Sequence, residues 1–186
     1  MTLTAMKTVI VFESMFGNTE KLAREMGDGL AGDHAQVVLA DVRHVRPEDF
    51  ADCDLLVLGA PTHAFSLSRP STRADAVRQG APDSRAALGL REWLASIDQV
   101  FGAGSARPLV AVFDTRVEKV QHWPGSAARR TGRMLRGHGF EVIEHPTSFY
   151  VEDVRGPLVT GERERARAWA RGLGTTVRTR PERTTA

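Results

Sequence analysis

Cysteine is almost missing from this 186-residue chain. Cys53 stands alone, which excludes a disulfide framework and a four-thiolate zinc site. Aromatic residues amount to 6%, and no aromatic-rich strand of the RNA-binding type occurs. Lysine is scarce as well: Lys7, Lys21 and Lys119 are the only ones, so arginine carries the positive charge. No apolar run approaches the ~20 residues that span a bilayer. Residues 1–7 lead straight into an apolar strand, without the layout of a secretory leader. These absences set the expectation of a soluble, cytoplasmic protein with no membrane contact. Against them stand 41% hydrophobic and 26% charged residues, the balance of a globular domain. A chain of this length buries roughly 70% of its unfolded surface and folds without covalent staples.

Several chemistries are missing too. Gly102-Ala103-Gly104 lacks a third glycine and precedes a strand, so it is no dinucleotide fingerprint. There is no Gly-Lys-Ser/Thr and no Gly-x-Ser-x-Gly elbow. The six histidines show no pair at metal-ligand spacing. The net charge is +2 and the pI about 9.1. The acidic excess lies in the first hundred residues and the basic excess in the rest. The arginines read as helix surfaces, so no nucleic-acid partner is expected.

What is present is a regular alternation. Thr8 to Phe12 is a continuous apolar run, as a parallel strand covered on both faces requires. A helix follows from about Thr19 to Ala31, with Leu22, Met26 and Leu30 forming one buried stripe. Short strands are expected at Val37–Leu39 and Leu55–Ala60. The stretch His63 to Arg85 shows little core pattern, though Thr72 and Asp75 fit a capping box. Leu88–Ile97 reads as a helix, Leu109–Phe113 as a fourth strand and Ser126–His138 as a basic helix. Phe140–Val151 holds a fifth strand, open to interruption at Pro146. A last helix spans Val159 to Leu173. Residues 1–174 thus form one α/β domain: three layers around a doubly wound, five-stranded parallel sheet. Residues 175–186 read as a polar, disordered tail.

Ligands of such sheets sit past the carboxyl ends of the strands. After the first strand stand Ser14, Met15, Phe16, Gly17, Asn18 and Thr19: hydroxyls at both ends, a bend between them, and a helix start directly behind. Free N–H groups and the positive helix end favour a phosphate there, held by neutral donors. The plain alternative is an ordinary capped helix start. After the third strand come Pro61, Thr62, His63, Ala64 and Phe65, and after the fourth Asp114, Thr115 and Arg116. A phospho-receiver would need an aspartate ending strand three, where Gly59-Ala60-Pro61 stands.

The run Val11 to Glu20 resembles the phosphate loop of the flavodoxin family, and Gly59-Ala60-Pro61-Thr62 is similar to that family's second cofactor loop. The resemblance covers roughly residues 7 to 174. It implies a flavodoxin-like fold of strand order 2-1-3-4-5 and noncovalently bound FMN. Ser14 to Thr19 would wrap the phosphate, Pro61 to Phe65 would line one side of the flavin, and Asp114 to Arg116 the other. It also implies electron transfer, with a redox partner protein or a small-molecule acceptor. Alternatives are a NAD(P)H-dependent reductase of quinones or other small molecules, and an interaction module that has lost the flavin. Electron-carrying flavodoxins are strongly acidic and place a tryptophan and a tyrosine against the ring. This chain is slightly basic, offers His63 and Phe65, and has Trp123 as its nearest later aromatic.

Individual residues leave choices open. His63 would contact the flavin or stand in solvent. Phe65 would stack on the ring or plug its loop into the core. Arg116 would face the flavin or pair with Asp114 or Glu118. Arg69 and Arg73 would face the ring, a partner or water. Cys53 reads as a core residue. The helix carrying Arg129, Arg130, Arg133 and Arg136 reads as a solvated face or as a dock for an acidic partner.

Overall fold

The computed structural model describes residues 5–32, 35–101 and 106–180. Five parallel strands form one sheet: β1 (Met6–Phe12), β2 (Ala35–Asp41), β3 (Leu55–Pro61), β4 (Leu109–Val117) and β5 (Thr147–Val151). Their order is β2-β1-β3-β4-β5 and all pairings are parallel, as expected. The chain reverses direction across the sheet between β1 and β3, so the loops after these strands diverge and leave a crevice.

Among the described residues six α-helices flank the strands: α1 (Asn18–Leu30), α2 (Pro70–Arg78), α3 (Leu90–Ala95), α4 (Ile97–Val100), α5 (Ala127–Gly137) and α6 (Glu162–Arg178). On one face, Leu22, Met26 and Leu30 of α1 and Ala166, Ala170 and Leu173 of α6 pack on Ile10, Val57 and Phe113. On the other, Trp93, Leu94 and Ile97, with Ala127, Ala128 and Leu135 of α5, cover Val9, Val11, Leu58 and Val112. Both faces of β3 are therefore buried, which is why it reads as an unbroken apolar run. A third, small cluster sets Met15 and Phe16 against Ala76 and Val77 of α2, fastening the loop after β1 to that helix.

The differences from the sequence reading are local. β4 runs to Val117 because Ala60 and Pro61 pair with Asp114 and Thr115, while Ser148 to Val151 pair with Asp114 to Val117. The polar triplet Asp114-Thr115-Arg116 thus belongs to the strand rather than to a loop after it. β5 is confined to Thr147–Val151, and Val142 makes only an isolated bridge to Val110 on the far side of Pro146. α2 starts at Pro70 rather than behind Thr72, and the Thr72 hydroxyl accepts from the Arg69 N–H at 2.9 Å. The helix expected over Leu88–Ile97 is split at Ser96 into α3 and α4. α6 continues through Arg178, so the first residues of the expected disordered tail are helical. Residues 181–186 and the Gly102-Ala103-Gly104 segment lie outside the described residues.

Candidate functional site

Gly17 adopts φ 87° and caps α1 from a left-handed conformation that a side chain would strain. This bend turns the chain from β1 into α1 within five residues. Among the described residues, the backbone N–H groups of Met15, Phe16, Gly17, Asn18 and Thr19 donate to no acceptor. Ser14, Met15, Asn18 and Thr19 are nonetheless buried. Phe16 and Gly17 are partly exposed. Buried N–H groups rarely go without partners, and five unpartnered N–H groups at the positive end of a thirteen-residue helix suit an anion. Ser14 closes the loop from below, its hydroxyl accepting from the Glu20 N–H at 3.3 Å. Thr19 Oγ1 lies 2.9 Å from Thr115 Oγ1, joining the helix start to β4.

The loop carries no cation of its own, but Arg85 braces it from behind. Its guanidinium donates to the Ser14 carbonyl at 3.0 Å and pairs with Glu20 at 2.9 Å. Nothing in the sequence marks Arg85 for this place, because some seventy residues separate it from Ser14. The Asn18 side-chain amide donates to the Arg155 carbonyl at 3.1 Å, tying the loop to the segment after β5.

A cleft of about 290 Å³ opens above this loop. Ser14, Met15, Phe16, Asn18 and Thr19 line it, as do Pro61, Thr62, His63 and Ala64 and, from β4, Thr115 and Arg116. The three strand ends therefore converge as expected. Gly17, Phe65 and Asp114 stand outside its lining. α2 contributes a wall with Thr72, Asp75 and Gln79, and Val151 and Val154 close the far side. Sequence reasoning missed both walls, since neither carries a motif.

His63 is half-buried at the wall rather than in solvent. Burial pushes its imidazole pKa down and the nearby Arg73 charge adds to this, against a hydrogen bond with the Thr72 backbone. The ring is accordingly neutral at pH 7. Arg73 itself does not face the cleft. It is buried, paired with Glu92 at 3.2 Å, and donates to Ser68 Oγ and the Ala86 carbonyl.

Asp114 is fully buried on the α5 side of the sheet. Its Oδ2 accepts from the Ala128 N–H at 2.7 Å at the start of α5. Burial raises its pKa, opposed by the Ser126 hydroxyl, the Ala128 N–H, and the hydroxyls of Ser148 and Thr62. Alternation along a strand explains the outcome: Thr115 and Asp114 are neighbours and so project to opposite sides. Arg116 pairs with neither Asp114 nor Glu118. Its Nη2 donates to the carbonyls of Val120 and Trp123, and its buried Nε has no acceptor among the described residues.

Phe65 neither plugs the core nor lines the cleft. It stacks on Trp123 with ring centroids 5.4 Å apart and planes at 19°, and both rings are exposed. The turn that carries it is tight: His63 and Ser66 exchange N–H···O bonds of 2.9 and 3.0 Å. Ala64 and Phe65 between them have φ of 46° and 62°, a type I′ geometry normally given to glycine or asparagine.

Among the described residues no group of three or more His, Cys, Asp or Glu could hold a metal ion. No helix among them is long and apolar enough to cross a membrane.

The sequence pattern of the flavodoxin family matches residues 10–105. A comparison with curated proteins finds no match. Among solved structures, a flavodoxin from the domain Archaea superposes with a TM-score of 0.66 at 14% identity, covering 93% of this chain and 99% of its own. Flavodoxin 2 from Bacillus cereus gives 0.65 at 19% identity, covering 91% and 99%. A flavodoxin, WrbA-like protein from Agrobacterium tumefaciens gives 0.64 at 13%, covering 95% and 99%. At these identities the superpositions speak for the fold.

Proposed function

The chain belongs to the flavodoxin family, whose cofactor is FMN, and we propose that it works as a cytoplasmic FMN-dependent electron carrier. The observation that supports this best is the run of five unpartnered N–H groups from Met15 to Thr19, all but Gly17 in residues that line the cleft, since a phosphate ester is the ligand they suit. When bound, FMN supplies the redox chemistry. The rest of the reading concerns this chain's residues. Met15 to Thr19 hold the phosphate by backbone N–H donors, and the Thr19–Thr115 hydroxyl pair supplies a further donor. Gly17 lets the backbone take the bend, while Ser14 fixes the start of α1. Pro61, Thr62, His63 and Ala64 form one wall for the flavin and Thr115 and Arg116 the other. Neutral His63 exchanges hydrogen bonds without adding charge, and the Arg116 guanidinium favours added negative charge in the cleft. Phe65 and Asp114 act outside the contact shell: Phe65 on the surface beside it, Asp114 by holding α5 against β4.

A reductase of quinones or other small molecules, fed by NAD(P)H, is the second reading. It draws on the polar wall of Thr72, Asp75 and Gln79, which offers recognition groups beyond those the loops provide. The absorbance spectrum of the purified protein, followed by NADPH oxidation without added reductase, separates the cases. A flavin spectrum with no NADPH oxidation alone supports the carrier. Turnover alone supports the reductase. A colourless protein that takes up no FMN leaves an interaction module.

A further inference from the structure

Nine of the arginines are neutralised by carboxylates among the described residues. Arg24, Arg43, Arg73, Arg78, Arg85, Arg163, Arg165, Arg167 and Arg180 each pair with a carboxylate. Arg69, Arg91 and Arg130 form no ion pair among the described residues, and the charges of Arg69 and Arg130 both reach Arg91. Arg91 is locked in place: its guanidinium donates to the carbonyls of Leu67 and Ser68, both at 2.9 Å. The carboxylates that reach Arg91 are engaged elsewhere, Glu92 with Arg73 and the Gly89 N–H, Glu13 with the Leu90 N–H. The cluster is thus a positive patch whose nearest carboxylates, Glu92 and Glu13, are held by other donors.

The patch adjoins the exposed aromatic pair. Arg91 grips Leu67 and Ser68, directly after the turn that carries Phe65. Gly125, which leads into α5 and Arg130, packs so closely on Phe65 that a Cβ would lie 2.8 Å from its carbonyl oxygen. Phe65 is 39% exposed and Trp123 58%. Two consecutive non-glycine residues at positive φ hold Phe65 out on the surface, and backbone strain of this kind clusters at functional sites. A small anion would find the arginines sufficient. A flat exposed aromatic pair beside a cluster of cations is the make-up of a transient protein interface, with an apolar centre and a charged rim.

We propose that Phe65 and Trp123, with Arg69, Arg91 and Arg130, form the docking surface for a protein partner whose own face is acidic. This rests on the electron-carrier reading, because the surface borders the cleft wall at Ala64 and would bring such a partner to the flavin. Charge attraction steers the encounter and the aromatic pair supplies the contact that holds it.

The test uses one protein probe in two charge states: cytochrome c, which is basic, and its fully succinylated, acidic form. Binding is measured by calorimetric titration at low salt, with FMN-saturated protein and with protein stripped of flavin. The proposal expects the acidic form to bind at least about tenfold more tightly than the basic form, and to weaken as salt rises toward about 0.15 M. Arg69→Glu/Arg130→Glu should abolish that preference. Arg171→Glu/Arg178→Glu, which changes net charge equally on α6 across the sheet, should largely keep it. Trp123→Ser should weaken binding severalfold without altering the salt dependence. Equal binding of both probe forms, equal losses in the two charge-reversed proteins, or indifference to Trp123→Ser each overturns the proposal. A preference for the acidic probe by a protein that takes up no FMN upholds the surface and refutes the carrier reading instead.

Discussion

Thr19 and Thr115 share a buried hydroxyl–hydroxyl hydrogen bond of 2.9 Å that joins the first turn of α1 to the end of β4. Only one of the two can donate to the other, so one hydroxyl proton remains for whatever occupies the cleft that both residues line. The pair should behave as one donor. Thr19→Ala and Thr115→Ala should each weaken FMN by about tenfold, the value of one charge-assisted hydrogen bond. The double variant should lose much less than the product of the two, since the residues act together. Fluorescence titration with FMN checks this. Additive losses would show the hydroxyls to be independent.

The backbone of the site makes opposite demands at two positions. Gly17 has φ 87° with nothing within 4 Å of where a Cβ would stand. Gly17→Ala should therefore cost about 1–2 kcal/mol through backbone strain alone. Ala64 already bears such strain at φ 46°. Ala64→Gly should be neutral or stabilising by up to about 1 kcal/mol, because relief of strain offsets the added freedom of the unfolded chain. Urea denaturation of the two variants should give shifts of opposite sense or, at the least, a clear loss for Gly17→Ala only.

Asp114 predicts a pH dependence. Burial raises its carboxyl pKa in the native state, so the folded protein holds this proton more tightly than the unfolded chain does. The corresponding stability is fully present below the unfolded pKa of about 3.9 and is lost as pH rises toward the native value. Asn at this position remains neutral and can still accept from the Ala128 N–H. The difference in stability between Asp114→Asn and the parent should thus move in favour of the variant as pH rises above about 4. A difference that stays flat from acid to neutral pH would contradict the buried-carboxyl account.

Cys53 is buried, and burial pushes its thiol up to about 12. It should resist iodoacetamide at pH 8 in the native protein and react fully in denaturant, as mass spectrometry can read directly.

The frame of this protein was legible because its strands are continuous apolar runs. Leu55 to Ala60 could be buried on both faces only in the middle of a sheet. The proposed phosphate loop stood out in the sequence because Ser14 to Thr19 combine a strand end, a bend and a helix start within six residues. Other features depend on contacts between distant segments. Asp114, Thr115 and Arg116 read as a loop because they are polar, yet pairing with β3 and β5 draws them into β4. That turns Asp114 away from the cleft. The turn His63 to Ser66 contains no glycine, so nothing in its composition announces two residues at positive φ. The contact between Phe65 and Trp123 joins two loops that only the completed sheet brings together.

The central claim is that the loop after β1 holds the phosphate of FMN, and a paired titration of the flavin-free protein with FMN and with riboflavin tests it most directly. The two ligands differ only in the phosphate, so their ratio of affinities reports the N–H cluster of Met15 to Thr19. Two or more charge-assisted hydrogen bonds from that cluster predict that FMN binds at least about a hundredfold more tightly. Equal affinities, or tighter binding of riboflavin, would contradict the account.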